Sequence, residues 1–268
     1  MRYDALIFDN DGVLTTLTDR SVLRSAIVST YEEFDVANPP EEHCEALLAV
    51  TVADLRGACL PYGLDEEAFW FARDANAAAA QCDEIDAGRK TLYDDVEALY
   101  SLAEELKLGV VSNNQQETVE YILDYFDLGG LFETCYGREP TVDGIRRKKP
   151  RPYYLERALA DLEADEALYV GDSTNDVLAA ERAGIDSAFI RRPHRSAYEL
   201  TSEPTYELES LHELSSLVRS ETALDASHPT PSEADSSSPT KAGNSSPTKT
   251  GNSSPEETGN SSPSETGR

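Results

Sequence analysis

Two carboxylates one residue apart, Asp9 and Asp11, directly follow an apolar segment near the start of the chain. The segment from Tyr3 to Phe8 has the composition of a strand that is buried on both faces. Both acids are therefore predicted at the carboxyl end of a strand, the edge at which open α/β sheets bind ligands. One acid can then act as a nucleophile or metal ligand and the other as a proton donor. Because Asp and Gly12 also form turns, an ordinary turn is the alternative.

A second pair of carboxylates, Asp172 and Asp176, follows the apolar run that ends at Gly171. Their spacing of four residues is expected to place both acids on one side of a helical turn. Acids at the start of a helix also interact favourably with its dipole, so helix capping is the alternative interpretation. Capping accounts for one acid, but it does not explain why a second strand end should also collect carboxylates.

Two further segments place polar side chains at comparable positions. One predicted strand ends in Ser112 and Asn113, whose hydroxyl and amide can hold the oxygens of an anion without adding charge. A turn with a helix cap is the alternative for this segment. Lys149 precedes Pro150 at the entrance to a predicted helix, where proline restricts the first turn and the approach of the lysine. The alternative for Lys149 is a solvated basic loop.

Convergence of the four acids would require compensation of their charge. Two unit charges 4 Å apart repel by about 4 kcal/mol at intermediate dielectric. A divalent cation is the natural partner, and an oxygen-rich ligand set that keeps waters and a substrate phosphate favours Mg²⁺ over zinc. The ammonium of Lys149 would supply a second positive charge that holds the nucleophile and the transferring phosphoryl group in line.

Apolar strand segments alternate with amphipathic helical segments over the first 220 residues. This alternation is typical of a parallel sheet with helices on both faces, so we predict an α/β fold with a Rossmann-like core. The predicted strands are 3–8, 108–112, 167–171 and 187–190. The predicted helices of the core are 91–106, 115–125, 151–162 and 175–183.

Residues 16–86 interrupt this alternation with helical segments and no clear strand. The three predicted helices are 20–34, 41–59 and 65–82. An insertion directly after the first strand would lie over the sheet edge that carries Asp9, where it can act as a lid. We therefore predict a helical cap over 16–86 and a core made of 1–15 and 87–220.

The last 48 residues, 221–268, differ in composition from the rest of the chain. Of these residues 29 are Ser, Thr, Pro or Gly and none is aromatic, so they cannot build a core. From Ser237 onward the segment consists of four octapeptides, SSPTKAGN, SSPTKTGN, SSPEETGN and SSPSETGR. Each unit contains a proline and no apolar face, which predicts a disordered repeat tail rather than a solenoid.

The chain has 51 acidic and 23 basic residues and a net charge of −28. Such a surface repels nucleic acid, and its self-repulsion is screened at high salt, which favours the cytoplasm of a halophilic archaeon as the setting. No apolar stretch approaches the roughly 20 residues that span a bilayer, and the amino terminus lacks a signal-peptide pattern. We therefore expect a cytoplasmic protein that binds neither nucleic acid nor membrane. The four cysteines have no paired spacing, so a zinc site is not predicted.

The segments that carry these residues read FDNDGVL, VVSNN, KPRP and VGDSTND in chain order. Together they resemble the four motifs of the haloacid dehalogenase superfamily of aspartate-nucleophile hydrolases, over roughly residues 3–192. The resemblance implies that Asp9 becomes an aspartyl phosphate, while Asp11 protonates the leaving oxygen and later activates water. It implies Lys149 as the phosphate clamp. The phosphoryl oxygens would be bound by Gly12, Ser112 and Asn113.

The same resemblance implies a Mg²⁺ site. Asp172, the Asp9 carboxylate and the Asp11 backbone carbonyl would hold the ion. Asp176 would orient a metal-bound water or Lys149, with Ser173 supporting this outer shell. The helical insertion between the first two motifs corresponds to the family's cap of the type placed after the first strand.

Asp11 separates the chemistries within the superfamily, because a dehalogenase needs no proton donor for a halide and usually lacks this acid. Its presence favours phosphoryl transfer. Cleavage of a carbon–phosphorus bond uses a cap lysine in this superfamily, whereas the first lysine here is Lys90, after the predicted cap. A phosphosugar mutase would share every core residue and is the closest alternative. A non-catalytic interaction module, with the repeat tail as its working part, is the alternative outside enzymology.

Specificity would reside in the cap, which offers four arginines as contacts to a distal anion on the substrate. Arg56, beside Gly57, is our first choice, and a surface ion pair is its alternative. Ten of the 23 basic residues lie in the two stretches 138–157 and 191–195, which predicts a positive mouth that attracts phosphate esters. The four cap arginines are Arg20, Arg24, Arg56 and Arg73.

We therefore predict a Mg²⁺-dependent phosphatase with an α/β core and a helical cap. Its partner would be a small phosphorylated metabolite inside the cell, such as phosphoglycolate or a sugar phosphate. The sequence leaves open which ester is hydrolysed, the oligomeric state and the role of the tail.

Overall fold

A computed structural model of the chain describes residues 2–226, with side chains through Ser220. Six parallel strands form one sheet: β1 (Ala5–Phe8), β2 (Lys107–Gln115), β3 (Thr134–Arg138), β4 (Ala167–Gly171), β5 (Asp186–Ile190) and β6 (Tyr206–Leu208). Their spatial order is β3-β2-β1-β4-β5-β6. The predicted α/β fold with a Rossmann-like sheet is confirmed. The order reverses between β1 and β4, where such sheets bind ligands at the carboxyl ends of their strands.

Two strands were not predicted. The strands β3 and β6 lie at opposite edges of the sheet, and β6 has only three residues. Both strands are short and mostly polar or aromatic, so their sequences do not distinguish them from loops. They form strands because they pair with the neighbouring strands β2 and β5. The strand β4 has the predicted bounds, whereas β1 begins at Ala5 rather than Tyr3.

Ten helices surround the sheet within the described residues. They are α1 (Arg20–Glu33), α2 (Glu41–Ala46), α3 (Val52–Cys59), α4 (Glu66–Asp86), α5 (Ala98–Ala103), α6 (Gln116–Tyr125), α7 (Val142–Arg147), α8 (Tyr153–Leu162), α9 (Thr174–Ala183) and α10 (Leu211–Ala226). Residues 20–86 contain α1–α4 and no strand, which agrees with the helical pattern read from the sequence.

Two helix predictions were wrong in their extent, and so was the predicted start of the tail. The segment 41–59 is two helices, because Thr51 and Asp54 form a capping box that starts α3. The segment 91–106 is a 3₁₀ turn (Asp94–Glu97) followed by the short α5. Glu221 was predicted to begin the tail, but α10 continues through Ala226. The rest of the predicted repeat tail, 227–268, lies outside the described residues.

Hydrophobic side chains form separate clusters on the two faces of the sheet and among the inserted helices. Leu6 and Phe8 of β1 belong to one cluster and Ala5 and Ile7 to another, because successive side chains of a strand point to opposite faces. A third cluster, centred on Trp70, joins α1–α4 to residues of α7. No helix of the described part of the chain is long and apolar enough to cross a membrane.

A buried ion pair connects the segment after β5 to the 3₁₀ turn Asp94–Glu97, and its arginine also contacts the turn that follows β1. Both terminal nitrogens of Arg192 contact the Asp95 carboxylate, at 2.6 and 2.8 Å, and Nη2 also donates to the carbonyl of Val13 at 2.7 Å. The same carboxylate accepts the backbone N–H of Leu211. This pair holds the segment immediately after the first acidic motif against the core.

Replacing Asp95 by Asn should destabilise the protein by about 2–4 kcal/mol, because a buried guanidinium loses its counter-charge. Urea unfolding at neutral pH measures this change. Asp94→Asn, at the exposed neighbouring position, is the matched control and should stay within about 0.5 kcal/mol of the wild type. Equal stabilities of the two variants would contradict the role assigned to the pair.

Candidate active site

Three carboxylates from two neighbouring strand ends meet at the switch point of the sheet. Asp9 follows β1, while Asp172 and Asp176 follow β4, and β1 and β4 are paired in parallel. One carboxylate oxygen of each residue lies within 4.8 Å of the others, and all three residues are buried. Of the four acids that were predicted to converge, the structure brings together Asp9, Asp172 and Asp176, whereas the Asp11 carboxylate is not part of this cluster.

The ammonium of Lys149 lies between two of these carboxylates. Its Nζ is 3.0 Å from Asp9 Oδ2 and 2.7 Å from Asp176 Oδ1, and the side chain is 2% exposed. The same nitrogen donates to Tyr169 Oη at 2.5 Å, and that hydroxyl donates to the carbonyl of Val111. Lys149 is therefore fixed by partners on all sides and supplies the positive charge nearest to Asp9.

Electrostatic interactions shift the pKa values of these groups in different directions. Burial, partly offset by Lys149 and reinforced by the neighbouring acids, raises the pKa of Asp9 to about 7. Burial alone would lower the pKa of Lys149, but Asp176 and Asp9 raise it overall. Burial opposes ionisation of Asp172, yet hydrogen bonds to its carboxylate lower its pKa. Thus added positive charge near Asp9 would favour its ionised form.

The carboxylates of Asp172 and Asp176 lie on the same side, as predicted, but Asp172 is not part of the helical turn. The helix α9 begins at Thr174, so Asp172 precedes it, and Asp176 closes a capping box with Ser173. Asp176 Oδ2 accepts from Ser173 N at 2.9 Å and from Ser173 Oγ at 2.5 Å. The capping alternative therefore holds for Asp176, while its other oxygen contacts Lys149. A Cβ at Gly171 would lie 2.2 Å from Asp176 Cβ, so only glycine permits this packing.

The second motif lies inside a strand rather than after it. The strand β2 continues to Gln115, and its register with β3 shifts between Val111 and Gln115. Such an irregularity re-aims side chains beside a site. Ser112 is buried and accepts from the backbone N–H of the second residue after it at 3.3 Å. Asn113 uses both ends of its amide on the backbone of Lys149, at 2.8 and 3.1 Å, so its side chain positions the lysine loop.

The carboxylate of Asp11 lies apart from the three clustered acids and has its own partners. It accepts from Asn114 Nδ2 at 2.7 Å and forms an ion pair with Lys90, whose Nζ also donates to the carbonyl of Thr16. Gly12 has φ +79°, and a Cβ there would lie 2.3 Å from a carboxylate oxygen of the fourth motif. A glycine is required at this close approach. The sequence analysis missed Lys90 as a site residue because it lies far from every motif.

A cavity of about 690 Å³ opens over this edge of the sheet. Arg20 and Arg73 line it together with Asp11 and Asn113. Arg56 does not line the cavity: it is exposed and pairs with Glu66, so our first choice for a distal contact is corrected in favour of the ion-pair alternative. Arg24 is likewise absent from the lining residues of this cavity and pairs with Glu41.

Two residues after β5 contact the metal-ligating candidate Asp172. Its Oδ2 accepts from His194 Nε2 at 2.6 Å and from Arg195 Nε at 2.9 Å. Arg195 belongs to a basic stretch that was predicted to form a positive mouth, and it lines the cavity. His194 carried no sequence signal, because a single histidine in a loop has no motif around it.

The donor atoms of the acidic cluster fit a hard divalent cation. Asp9, Asp172 and Asp176 offer carboxylate oxygens only, which is the ligand chemistry of Mg²⁺ rather than zinc. Three buried carboxylates face the Lys149 ammonium and the Arg195 guanidinium, so the carboxylates still outnumber these two cations. A cation would relieve this imbalance.

Comparisons with known proteins agree with this geometry. A family model of haloacid dehalogenase-like hydrolases matches residues 6–190, which include all four motifs. The chain belongs to this family. Pyrophosphatase PpaX of Anoxybacillus flavithermus is 28% identical over 225 residues, which cover 81% of this chain and 98% of the relative. A phosphoglycolate phosphatase of Colwellia psychrerythraea is 39% identical over 100 residues, which cover 36% of this chain and 42% of that relative.

Solved structures show the same fold. The crystal structure of CbbY from Rhodobacter sphaeroides in complex with phosphate superposes with a TM-score of 0.60 at 22% identity, over 79% of this chain and 96% of that chain. The family match and these phosphatase relatives establish the chain as a hydrolase of the haloacid dehalogenase type.

Ionising Asp9 should cost stability. The folded pKa of about 7 exceeds the ordinary 3.8, so the folded state binds a proton between these pH values that the unfolded state has lost, and stability falls as the pH rises through this range. Without divalent metal, Asp9→Asn should be more stable than the wild type by about 2 kcal/mol near pH 8, and the difference should vanish near pH 4. Urea unfolding at both pH values measures it.

Asp143→Asn is the matched control, because Asp143 is exposed on α7 and pairs only at the surface with Arg146. Its stability should follow the wild type at both pH values. An Asp9→Asn variant that is less stable than the wild type near pH 8 would contradict the prediction that the ionised Asp9 carboxylate destabilises the folded protein.

Proposed function

We propose that this protein is a Mg²⁺-dependent phosphatase that hydrolyses a small phosphate monoester through an aspartyl-phosphate intermediate. The observation that carries the proposal is the buried cluster of Asp9, Asp172 and Asp176 around the ammonium of Lys149, at the switch point of the sheet. Family membership supports the reaction class, and the curated relatives named above are phosphatases.

In the proposed reaction an oxygen of Asp9 attacks phosphorus, and the bond between phosphorus and the ester oxygen breaks. Asp11 gives its proton to the departing oxygen, so an alcohol leaves. In the second half Asp11 takes a proton from water, whose oxygen attacks phosphorus and releases Asp9 and inorganic phosphate. Lys90 and Asn114, which hold the Asp11 carboxylate, would set its orientation for both proton transfers.

Lys149 would balance the charge of the nucleophile and hold the phosphoryl group. Its contacts with Asp9 and Asp176 fix the ammonium before substrate binds, so little reorganisation is needed. Mg²⁺ would supply charge neutralisation of the phosphoryl oxygens when bound. Asp9, Asp172 and the Asp11 carbonyl would hold the ion, with Asp176 and Ser173 supporting from behind. Gly12 and the buried Ser112 would contact the phosphoryl oxygens.

The helices of 16–86 would act as a cap over the core of 1–15 and 87–220. Their residues line one side of the cavity and the strand ends line the other, and a volume of about 690 Å³ suits a small metabolite. Phosphoglycolate or a sugar phosphate is our proposed substrate, and pyrophosphate is added because relatives carry that activity in their names. The names of both relatives describe hydrolysis, which favours a phosphatase over a phosphosugar mutase.

The purified protein should release phosphate from p-nitrophenyl phosphate and from the proposed substrates only when Mg²⁺ is present. Asp9→Asn should lower the rate by about 1,000-fold or more, because the nucleophile is lost. Asp143→Asn serves as the same change at an exposed position and should retain the wild-type rate. Equal rates for the wild type and Asp9→Asn would refute the proposal, and isomerisation of a sugar phosphate without phosphate release would favour the mutase.

Metal binding can be tested without turnover. Mg²⁺ should raise the melting temperature of the wild type by about 3 °C or more, because a ligand that binds only the folded state stabilises it. Asp172→Asn should abolish this increase, while Asp143→Asn should preserve it. Differential scanning calorimetry measures the three proteins with Mg²⁺ and with a chelator. A full Mg²⁺ response in Asp172→Asn would place the ion elsewhere.

A further inference from the structure

A second cluster of charged residues lies in the same cavity, away from the catalytic acids. Arg73 of α4, Arg138 at the end of β3 and Lys148 all line the cavity. Both guanidinium groups contact one aromatic ring, since their Cζ atoms lie 5.0 Å (Arg73) and 4.7 Å (Arg138) from the centroid of Trp70. Both arginine side chains are at most 5% exposed.

The cluster has three cations and a single paired carboxylate. Asp74 receives two bonds from Arg138, at 2.5 and 2.8 Å, and a longer one of 3.2 Å from Arg73. Lys148 Nζ donates only to the carbonyls of Val50, at 2.5 Å, and Ala49, at 3.5 Å. Within residues 2–220 it pairs with no carboxylate. The cluster therefore carries two positive charges that its own acid does not balance, in a chain whose net charge is −28.

Burial makes this imbalance costly. The Nε of Arg73 is buried without a hydrogen-bond partner, although its Nη2 reaches the carbonyl of Leu47. Burial, together with nearby Arg138 and Arg73 and against the weaker attraction of Asp54 and Asp74, lowers the pKa of Lys148 to about 8. Natural proteins seldom bury unpaired charge without a functional reason, because each such group costs free energy.

A structural role accounts for part of the cluster but not for all of it. The Arg138–Asp74 pair joins a helix of the inserted segment to the sheet, and one arginine is enough for that contact. Neither Arg73 nor Lys148 is needed for it. Their position on the wall of the cavity that also contains Asp11 and Asn113 points to a ligand that spans both regions.

We propose that Arg73, Arg138 and Lys148 form a subsite for a second anionic group, so that the preferred substrate is a phosphate ester with a carboxylate or phosphate at its far end. This inference rests on the proposed function and narrows its substrate class. Guanidinium and ammonium groups are the usual donors to both kinds of anion, through charge-assisted hydrogen bonds. The bound anion would balance the excess charge of the cluster.

The test measures binding, so that it does not depend on turnover. Asp9→Asn serves as the parent protein, with Mg²⁺ present, and calorimetry compares matched ligands that differ by one anionic group. Phosphoglycolate is paired with 2-hydroxyethyl phosphate, and 1,3-propanediol bisphosphate with 3-hydroxypropyl phosphate. The parent should bind the member with the second anionic group about tenfold more tightly or better in one pair, and the pair that responds identifies the second anion as carboxylate or phosphate.

Variants of Lys148 then locate the subsite. Lys148→Met in the parent should weaken binding of the ligand with two anionic groups by about tenfold and leave binding of the matched ligand without the second anionic group within about twofold. Arg146→Met, in the same basic stretch but outside the lining of the cavity, should change neither. A loss that is equal for both ligands would mean that Lys148 is structural and would overturn the proposal.

The pH dependence gives an independent readout. Because Lys148 titrates near pH 8 in the free protein, the preference for the second anion should weaken as the pH rises above about 8. Lys148→Arg keeps its charge and should maintain the preference to about pH 9.5. The charged groups that face Lys148 are Asp54, Asp74, Arg73 and Arg138.

The outcomes separate the two proposals. A charge preference in binding without any phosphate release by the wild type would refute the phosphatase and keep the subsite. Phosphate release with equal affinity for both members of each pair would refute the subsite and keep the phosphatase.

Discussion

The candidate site depends on one buried ammonium. Lys149 separates Asp9 from Asp176, and without it three buried carboxylates would repel each other at the end of two adjacent strands. The surrounding structure serves to hold this group. Tyr169 and the carbonyl of Val111 take up its remaining hydrogen-bonding capacity, and Asn113 clamps its backbone from both sides.

Charge balance connects the site to its surroundings. Within the described residues, the lysines and arginines that pair with acids of the site come from three different segments: Lys90 after the inserted helices, Lys149 before α8, and Arg195 after β5. The acids cluster at one sheet edge because parallel strands end together there, whereas the cations arrive from loops around that edge. Burial and the neighbouring acids raise the pKa of Asp9 despite the contact with Lys149, and a divalent cation would favour its ionised form.

The balance of acids and cations also differs between the two ends of the cavity. Near Asp9 acids outnumber the cations, while around Trp70 cations outnumber the acids. A phosphate ester with a second anionic group would match this arrangement, since its phosphoryl end would meet the metal site and its far end the arginines. The basic stretches of the sequence therefore divide into two groups. Arg138, Lys148 and Lys149 work inside the protein, whereas Arg146 and Arg157 lie on the surface.

The sequence by itself determined the central strands of the sheet and the polar residues that follow them. Apolar runs before Asp9, Ser112 and Asp172 predicted three central strands and the polar side chains at their carboxyl ends. A strand that is buried on both faces is coded by a continuous apolar run, which can be recognised in the sequence. Only the tertiary structure showed that β3 and β6 are strands at the sheet edges and that Lys90 contacts Asp11. It also showed that Arg73, and not Arg56, lines the cavity. Those features depend on distances between segments far apart in the chain, and the direction of a long side chain from a helix follows from packing rather than from its own sequence.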